Sequence, residues 1–173
     1  MNDELARQRD EWLRNAIDQH EHMLVRYAQQ FVHDTDRARD VVQDTFMKLV
    51  DQDRKHERLT EKHLTKWLFR VCRNRAIDIA RKEKRMKFAP SEQFDERIES
   101  SAAAPDAAAL AEERQETLLS QIATLTSNQQ EVLRLKFHGG LSYQEIADVT
   151  GLTKTNVGFI LHTAITKLRQ TVT

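Results

Sequence analysis

Apolar residues recur every three or four positions over most of this 173-residue chain, a spacing that places them on one face of an α-helix. In the first half, the periodicity predicts helices over about residues 3–32, 36–51 and 61–87. Asp34 and Thr60 offer capping oxygens just before the second and third helices. Residues 52–60 have no periodicity, and we expect a polar loop there.

The second half shows the same periodicity with clearer helix boundaries. Residues 126–129 (TSNQ) and 142–145 (SYQE) have the spacing of capping boxes, in which two side chains bond free amide groups at a helix start. Gly151 predicts a turn, and Thr153 predicts the cap of a last helix ending near residue 170. The inward face of that helix is expected to carry Val157, Leu161, Ala164 and Leu168.

Residues 89–111 differ in composition from the sequence on either side. They hold both prolines, an alanine cluster, several serines and more acidic than basic residues. Such a composition is typical of a flexible linker. We therefore expect an all-α protein with two small helical domains, over residues 1–88 and 112–173, joined by this acidic linker.

The overall composition narrows the class of protein further. Four glycines and two prolines are too few for the turns of an all-β fold. The single cysteine, Cys72, excludes an internal disulfide, fits a reducing compartment and is expected to be a small core residue. No apolar run is long enough to span a bilayer, and the first residues do not resemble a signal peptide, so we expect a cytoplasmic protein.

The sequence does not predict an enzyme. It has no glycine-rich phosphate loop, no nucleophile within a known motif and no pair of catalytic residues at an informative spacing, so no cofactor or small-molecule substrate is expected. His20 and His22 are two positions apart on a helix and point to different faces. We expect both to be surface residues and predict no metal site.

Charge is sorted along the chain, although 27 basic and 27 acidic residues cancel overall. Residues 62–87 contain ten Lys and Arg but only two acidic residues. A helix with this charge suggests a polyanion partner, most simply nucleic acid, because neutralised phosphates release counterions. Arg and Lys mostly hold phosphates, whereas Asn can read a base edge. The candidate DNA contacts here are Arg70, Arg73, Asn74, Arg75, Arg81, Lys84 and Arg85.

Residues 141–169 have the layout of a helix-turn-helix: a short helix, a turn containing Gly151, and a longer helix suited to the major groove. Helical hairpins without a DNA-binding role share this pattern. The candidate contacts are Ser142, Tyr143, Lys154, Thr155, Asn156, Phe159 and His162.

One polar stripe lies on the second helix, where Asp40, Gln43, Asp44 and Met47 follow the i, i+3, i+4, i+7 spacing of a single face. An acidic stripe with a methionine suits a basic partner helix. A solvated face is the more common meaning of such a pattern.

Taken in order, these segments resemble a bacterial RNA polymerase sigma factor of the extracytoplasmic-function type, from about Leu24 onward. DVVQDTFMKLV (40–50) resembles the family's core-polymerase-binding helix. WLFRVCRNRAIDIARKEKR (67–85) resembles its helix for the minus-ten promoter element. Residues 125–169 resemble its domain for the minus-thirty-five element.

The resemblance implies a transcription initiation factor that binds core RNA polymerase at the clamp helices of the largest subunit and directs it to promoter DNA. It implies that the basic helix and the loop before it melt the promoter and capture an extruded base near Asn74. The linker around residues 92–99 would thread into the polymerase, and an anti-sigma protein would control activity. The implied polymerase-binding residues are Asp40, Gln43, Asp44, Phe46 and Met47.

The last helix departs from the family pattern, because positions that are usually basic here read Gly158, Phe159, Ile160, Thr163 and Ile165. We therefore expect residues 112–173 to bind DNA weakly alone, with a shallow salt dependence. Phe159 falls on the outward side, where it would touch a thymine methyl or another protein. The competing interpretation is a sigma-like decoy for an anti-sigma protein, or a helix-turn-helix regulator that does not initiate transcription.

Overall fold

Helices supply all the regular secondary structure in residues 2–54, 59–87 and 120–171, which are the residues that the computed structural model describes. The chain divides into two compact units, Met1–Ser91 and Glu92–Thr173. The predicted linker over 89–111 lies outside the described residues. The predicted all-α fold class is confirmed.

The first unit is built from three long helices, α1 (Asn2–Val32), α2 (Thr35–Arg54) and α3 (Glu61–Lys87). His33 ends α1 in the left-handed region with φ of 53°, and the Asp34 carboxylate accepts a 2.8 Å hydrogen bond from the Arg37 amide, capping α2 as expected. α2 continues to Arg54, so the loop predicted from residue 52 begins later. Asp53 explains the extra turn, because its buried carboxylate lies 3.7 Å from the Arg9 guanidinium of α1.

Aromatic rings fill the centre of the first unit. The Tyr27 ring on α1 meets the Phe69 ring edge to face at 5.0 Å between centroids, and it meets Phe31 at 5.4 Å. Four buried residues of α3 are spaced by four positions, and Phe69 is buried beside them. The buried set is Leu64, Leu68, Phe69, Cys72 and Ala76.

Helical periodicity in the sequence predicts that the inward face of α3 consists of Leu64, Trp67, Leu68, Val71 and Ile79, with Cys72 as a further candidate. This prediction was partly wrong. Trp67, Val71 and Ile79 are only half-buried, and Phe69, which the periodicity did not select, is 1% exposed. α3 packs against both α1 and α2, so its buried surface is wider than one stripe and is centred toward Phe69.

His20 corrects another expectation, because it is buried rather than on the surface; His22 is exposed. Nδ1 of His20 lies 2.8 Å from the Ala16 carbonyl, which can only accept, so this nitrogen donates. Nε2 lies 3.0 Å from the Thr65 hydroxyl, and in the neutral ring it accepts from that group. The ring thus joins α1 to α3 with both nitrogens satisfied, which allows it to be buried.

The second unit contains a helical turn at residues 120–123 followed by α4 (Ser127–Phe137), α5 (Tyr143–Thr150) and α6 (Lys154–Thr171). Both predicted capping boxes are present, at Thr126 with Gln129 and at Ser142 with Glu145. Gly151 adopts φ of 77°, a left-handed conformation that glycine enters without steric cost, and it turns the chain toward α6. The core residues of this unit include Val132, Leu135, Ile146, Val157, Leu161 and Ala164.

Candidate nucleic-acid and polymerase interface

The polar stripe of α2 is present on the surface of the first unit. Asp40 and Gln43 are exposed, Met47 is 61% exposed and Asp44 is half-buried. Phe46, the fifth residue expected to serve polymerase binding, is only 8% exposed and belongs to the core. We call Asp40, Gln43, Asp44 and Met47 the acidic stripe; Phe46 can support this stripe from below but offers little surface to a partner.

Asp44 also connects the acidic stripe to the basic helix. Nε of Arg75 on α3 donates a 2.7 Å hydrogen bond to Oδ2 of Asp44, and both side chains are a little over one-third exposed. An ion pair with this exposure contributes only about 0–1 kcal/mol, because water screens it. Arg75, expected to contact DNA, is thus bound within the unit to a residue expected to contact polymerase, and helix spacing alone gave no sign of this pair.

Three exposed arginines and Asn74 lie along one edge of α3, and the exposed Asp78 lies on the same edge between Asn74 and Arg81. Arg70, Asn74, Arg81 and Arg85 are exposed and follow each other at spacings of four and seven residues. We call these four residues the basic face. Lys82, Lys84 and Lys87 add charge around its far end, where the helix dipole also favours cations.

Two further cations of α3 have local contacts. The Arg73 guanidinium is half-buried and lies 6.0 Å from the centroid of the Phe31 ring, so it packs beside the core rather than on the basic face. Lys84 lies near His33 at the end of α1. Partial burial and then the Lys84 ammonium lower the pKa of His33, although the residue is exposed.

The helix-turn-helix residues all lie on the outside of the second unit. Lys154, Thr155, Asn156 and His162 are exposed along α6, and Phe159 is 68% exposed. Ser142, however, is the N-cap of α5, because its hydroxyl accepts from the Glu145 amide. Its first role is therefore to start that helix.

Tyr143, the first residue of α5, is 41% exposed and lies beside the middle of α6. An ideal Cβ at Gly158 would be 3.6 Å from its ring. The Lys136 ammonium is 5.4 Å from the centroid of the same ring. Helix periodicity gave no sign of this packing, and because a Cβ at 3.6 Å would make only an ordinary van der Waals contact, the packing does not require glycine at this position.

Three other features of the described residues bear on possible sites: the Cys72 thiol, a cavity between α1 and α3, and groups of metal-binding side chains. Burial raises the pKa of the Cys72 thiol to about 12, against a smaller opposing effect of a hydrogen bond with Thr45. A cavity of about 160 Å³ lies between α1 and α3, lined in part by Trp12, His20 and Thr65. Within residues 2–54, 59–87 and 120–171, no group of three His, Cys, Asp or Glu is placed to hold a metal ion, and no helix is long and apolar enough to cross a membrane.

Comparison with known proteins places both units in one family. Residues 16–86 match Sigma-70 region 2, and residues 115–168 match Sigma-70 region 4. The chain is 29% identical over 163 residues to the ECF RNA polymerase sigma factor SigL of Mycobacterium tuberculosis, covering 92% of this chain and 88% of SigL. It is 25% identical over 153 residues to the RNA polymerase sigma factor YlaC of Bacillus subtilis, covering 87% and 86%.

Solved structures share the fold. The sigma factor RpoE of Bartonella quintana, in complex with the anti-sigma factor NepR, matches with a TM-score of 0.64 at 20% identity, covering 95% of this chain and 96% of that one. CnrH in complex with the cytosolic domain of CnrY matches with a TM-score of 0.57 at 22% identity, covering 94% and 88%.

Proposed function

The chain belongs to the bacterial RNA polymerase sigma factors of the extracytoplasmic-function type, and from this premise we propose that it binds core RNA polymerase and opens specific promoters. The observation that carries this proposal is the separation of charge within the first unit. The acidic stripe lies on α2 and the basic face on α3, so one small bundle offers a protein-docking surface and a nucleic-acid surface.

Polymerase docking is assigned to the acidic stripe. Asp40 and Gln43 are exposed and able to meet a basic helix, and the exposed Met47 thioether adds an adaptable apolar contact. We propose the clamp helices of the largest polymerase subunit as the partner, in agreement with the family resemblance. Phe46 supports this surface by holding α2 in the core.

Substitution of Asp40 by Lys tests the docking surface. We expect Asp40→Lys to weaken assembly with purified core polymerase at least about tenfold, because a like charge then faces the basic partner. Asp18→Lys, at an exposed position on α1, makes the same charge change away from the stripe and should assemble normally. Equal affinities of the two variants would contradict the proposed docking site.

Promoter opening is assigned to the basic face. Arg70, Arg81 and Arg85 would hold phosphates of the melted strand, and Asn74 would bond an extruded base. Extruding a base costs a few kcal/mol, which these contacts must offset. Holoenzyme carrying Asn74→Ala should bind promoter DNA yet show reduced permanganate reactivity of unpaired thymines. Unchanged reactivity would remove Asn74 from this role.

The second unit is assigned to the upstream, minus-thirty-five promoter element through α6. An anti-sigma protein is a further proposed partner, since RpoE and CnrH, which share this fold, were each solved with a second protein, for RpoE an anti-sigma factor. Because core polymerase and promoter DNA are cytoplasmic in bacteria, the proposed function includes action in the cytoplasm.

A second candidate function is supported by α6 alone. Its outward end exposes Phe159 and carries few cations, which suits a decoy that binds an anti-sigma protein without starting transcription. The acidic stripe and the basic face favour the initiation factor, because a decoy needs neither. Run-off transcription with core polymerase over a promoter library separates the two: transcripts from defined start sites support the initiation factor, whereas a chain that binds an anti-sigma protein but neither binds core polymerase nor yields transcripts supports the decoy.

A further inference from the structure

The recognition helix of the second unit offers little of the chemistry that usually reads guanine. Arg and Lys form the commonest specific base contact, a pair of hydrogen bonds to guanine O6 and N7. Over residues 154–163, the first ten residues of α6, the sequence contains one lysine, Lys154, and no arginine. A preference for G·C pairs would therefore lack its usual donor.

The outward surface of α6 instead carries groups suited to A·T pairs. Asn156 and Phe159 are three residues apart, share one face and are both exposed. Asparagine forms paired hydrogen bonds with adenine N6 and N7, and an apolar side chain packs on the C5 methyl group of thymine. Since the two side chains are neighbours on the helix, they would reach the same or adjacent base pairs.

The packing of Tyr143 extends this apolar surface. Its ring lies beside the backbone at Gly158 on α6. The Lys136 ammonium lies 5.4 Å from the centroid of this ring, and Lys154 is exposed at the start of α6. The Lys136 ammonium also donates a hydrogen bond to the Leu141 carbonyl. Exposed aromatic rings with amines nearby suit a duplex, in which base edges lie between two rows of phosphates.

We infer that α6 selects A·T over G·C pairs in the upstream promoter element, with Asn156 bonding an adenine and Phe159 packing on a thymine methyl. This inference rests on the proposed function, because the DNA in question is the promoter engaged by the assembled polymerase. It adds the base class and the two residues that determine it.

The test uses holoenzyme assembled from the full chain and core polymerase. Selection from promoters with a randomised upstream element should enrich A·T at two or more consecutive positions. At one selected position, deoxyuridine in place of thymine removes only the methyl group, and this change should weaken binding by wild-type holoenzyme roughly fivefold. Phe159→Ala should bind both duplexes equally, at about the level of wild type on deoxyuridine.

Phe137→Ala is the matched control, because Phe137 is 65% exposed at the end of α4 and is not on the recognition helix. Holoenzyme with this variant should still bind the thymine duplex more tightly than the deoxyuridine duplex. Equal binding of the two duplexes by this variant would overturn the assignment to Phe159. Holoenzyme that transcribes but selects G·C pairs overturns the inference and leaves the proposed function standing. Equal binding of the thymine and deoxyuridine duplexes by wild-type holoenzyme at every selected position also overturns the inference and leaves the proposed function standing. A chain that forms no complex with polymerase overturns both.

Discussion

Helices α3 and α6 are both proposed to contact DNA, yet they distribute aromatic and charged side chains in opposite ways. α3 buries its phenylalanine, with Phe69 only 1% exposed, and presents a row of cations. α6 presents its phenylalanine, with Phe159 68% exposed, and has a single lysine in its first ten residues. The difference matches the two tasks: a melted strand is held largely by charge and stacking, whereas an intact duplex can be read through its base edges.

The largest expected effect contrasts the two phenylalanines. Phe69→Ala should lower the free energy of unfolding of the first unit by about 3–5 kcal/mol, because it empties the centre of the aromatic core. Thiol labelling of Cys72, the only cysteine of the chain, measures opening of this unit. Its rate at pH 8 should rise at least about 100-fold. Phe159→Ala should leave the rate unchanged, and equal acceleration by both variants would break the comparison.

The contribution of Cys72 to the stability of the first unit depends on pH. Burial raises the pKa of the folded thiol to about 12, so folding favours its protonated form. This contribution to stability is complete below the ordinary thiol pKa and is lost as pH rises toward the folded value. Unfolding monitored by circular dichroism should therefore show a loss of stability in alkaline solution that is smaller in Cys72→Ala. An identical alkaline loss in both proteins would contradict the assignment to Cys72.

Charge reversal on the basic face should have the next largest effect. Arg81→Glu combined with Arg85→Glu should weaken promoter binding by holoenzyme on the order of 100-fold and flatten its dependence on salt, because fewer counterions are released. Filter binding at several salt concentrations measures both quantities. Arg14→Glu with Arg26→Glu, two exposed positions of α1, makes the same change in net charge and should alter binding little. Lys154→Glu on α6 should cost only about fivefold.

Gly158→Arg would add a cation to α6, as α3 already has, and its effect on promoter binding should be smaller than that of the double charge reversal on α3. A Cβ at this position makes an ordinary 3.6 Å contact with Tyr143, so the helix can accept a side chain there. We expect promoter binding by holoenzyme to strengthen about three- to tenfold, with a new preference for guanine in the upstream element. Gly158→Ala controls for helix propensity, which alone favours alanine by about 1 kcal/mol. A gain of equal size in both variants would rule out a contact made by the arginine.

The smallest expected effect concerns the pair that joins the acidic stripe to α3. A double-mutant cycle with Asp44→Asn and Arg75→Gln should give a coupling energy of about 0.3–1 kcal/mol in urea unfolding, because both side chains are partly exposed. A coupling several times larger would mean that this pair contributes to the packing of α2 against α3 far more than a partly exposed ion pair does.

Much of the local structure was predictable because it depends on neighbouring residues. The bounds of α3, both capping boxes and the turn at Gly151 follow from residues within a few positions of one another, and all are present. The acidic stripe and the basic face were predictable for the same reason, since side chains spaced by three or four residues share a face of a helix.

The tertiary structure decided which helical faces became buried and which side chains met across helices. Phe69 and His20 are buried because neighbouring helices pack over them, and no repeat within one helix encodes the position of its neighbours. Arg75 reaches Asp44 over 31 positions of sequence, and the Tyr143 ring packs beside Gly158. The sequence by itself determined the helices and their ends, which depend on local hydrogen bonds, and their charges, which depend on residue type. Which residues are buried and which stay exposed was decided only by the packing of the helices in each unit.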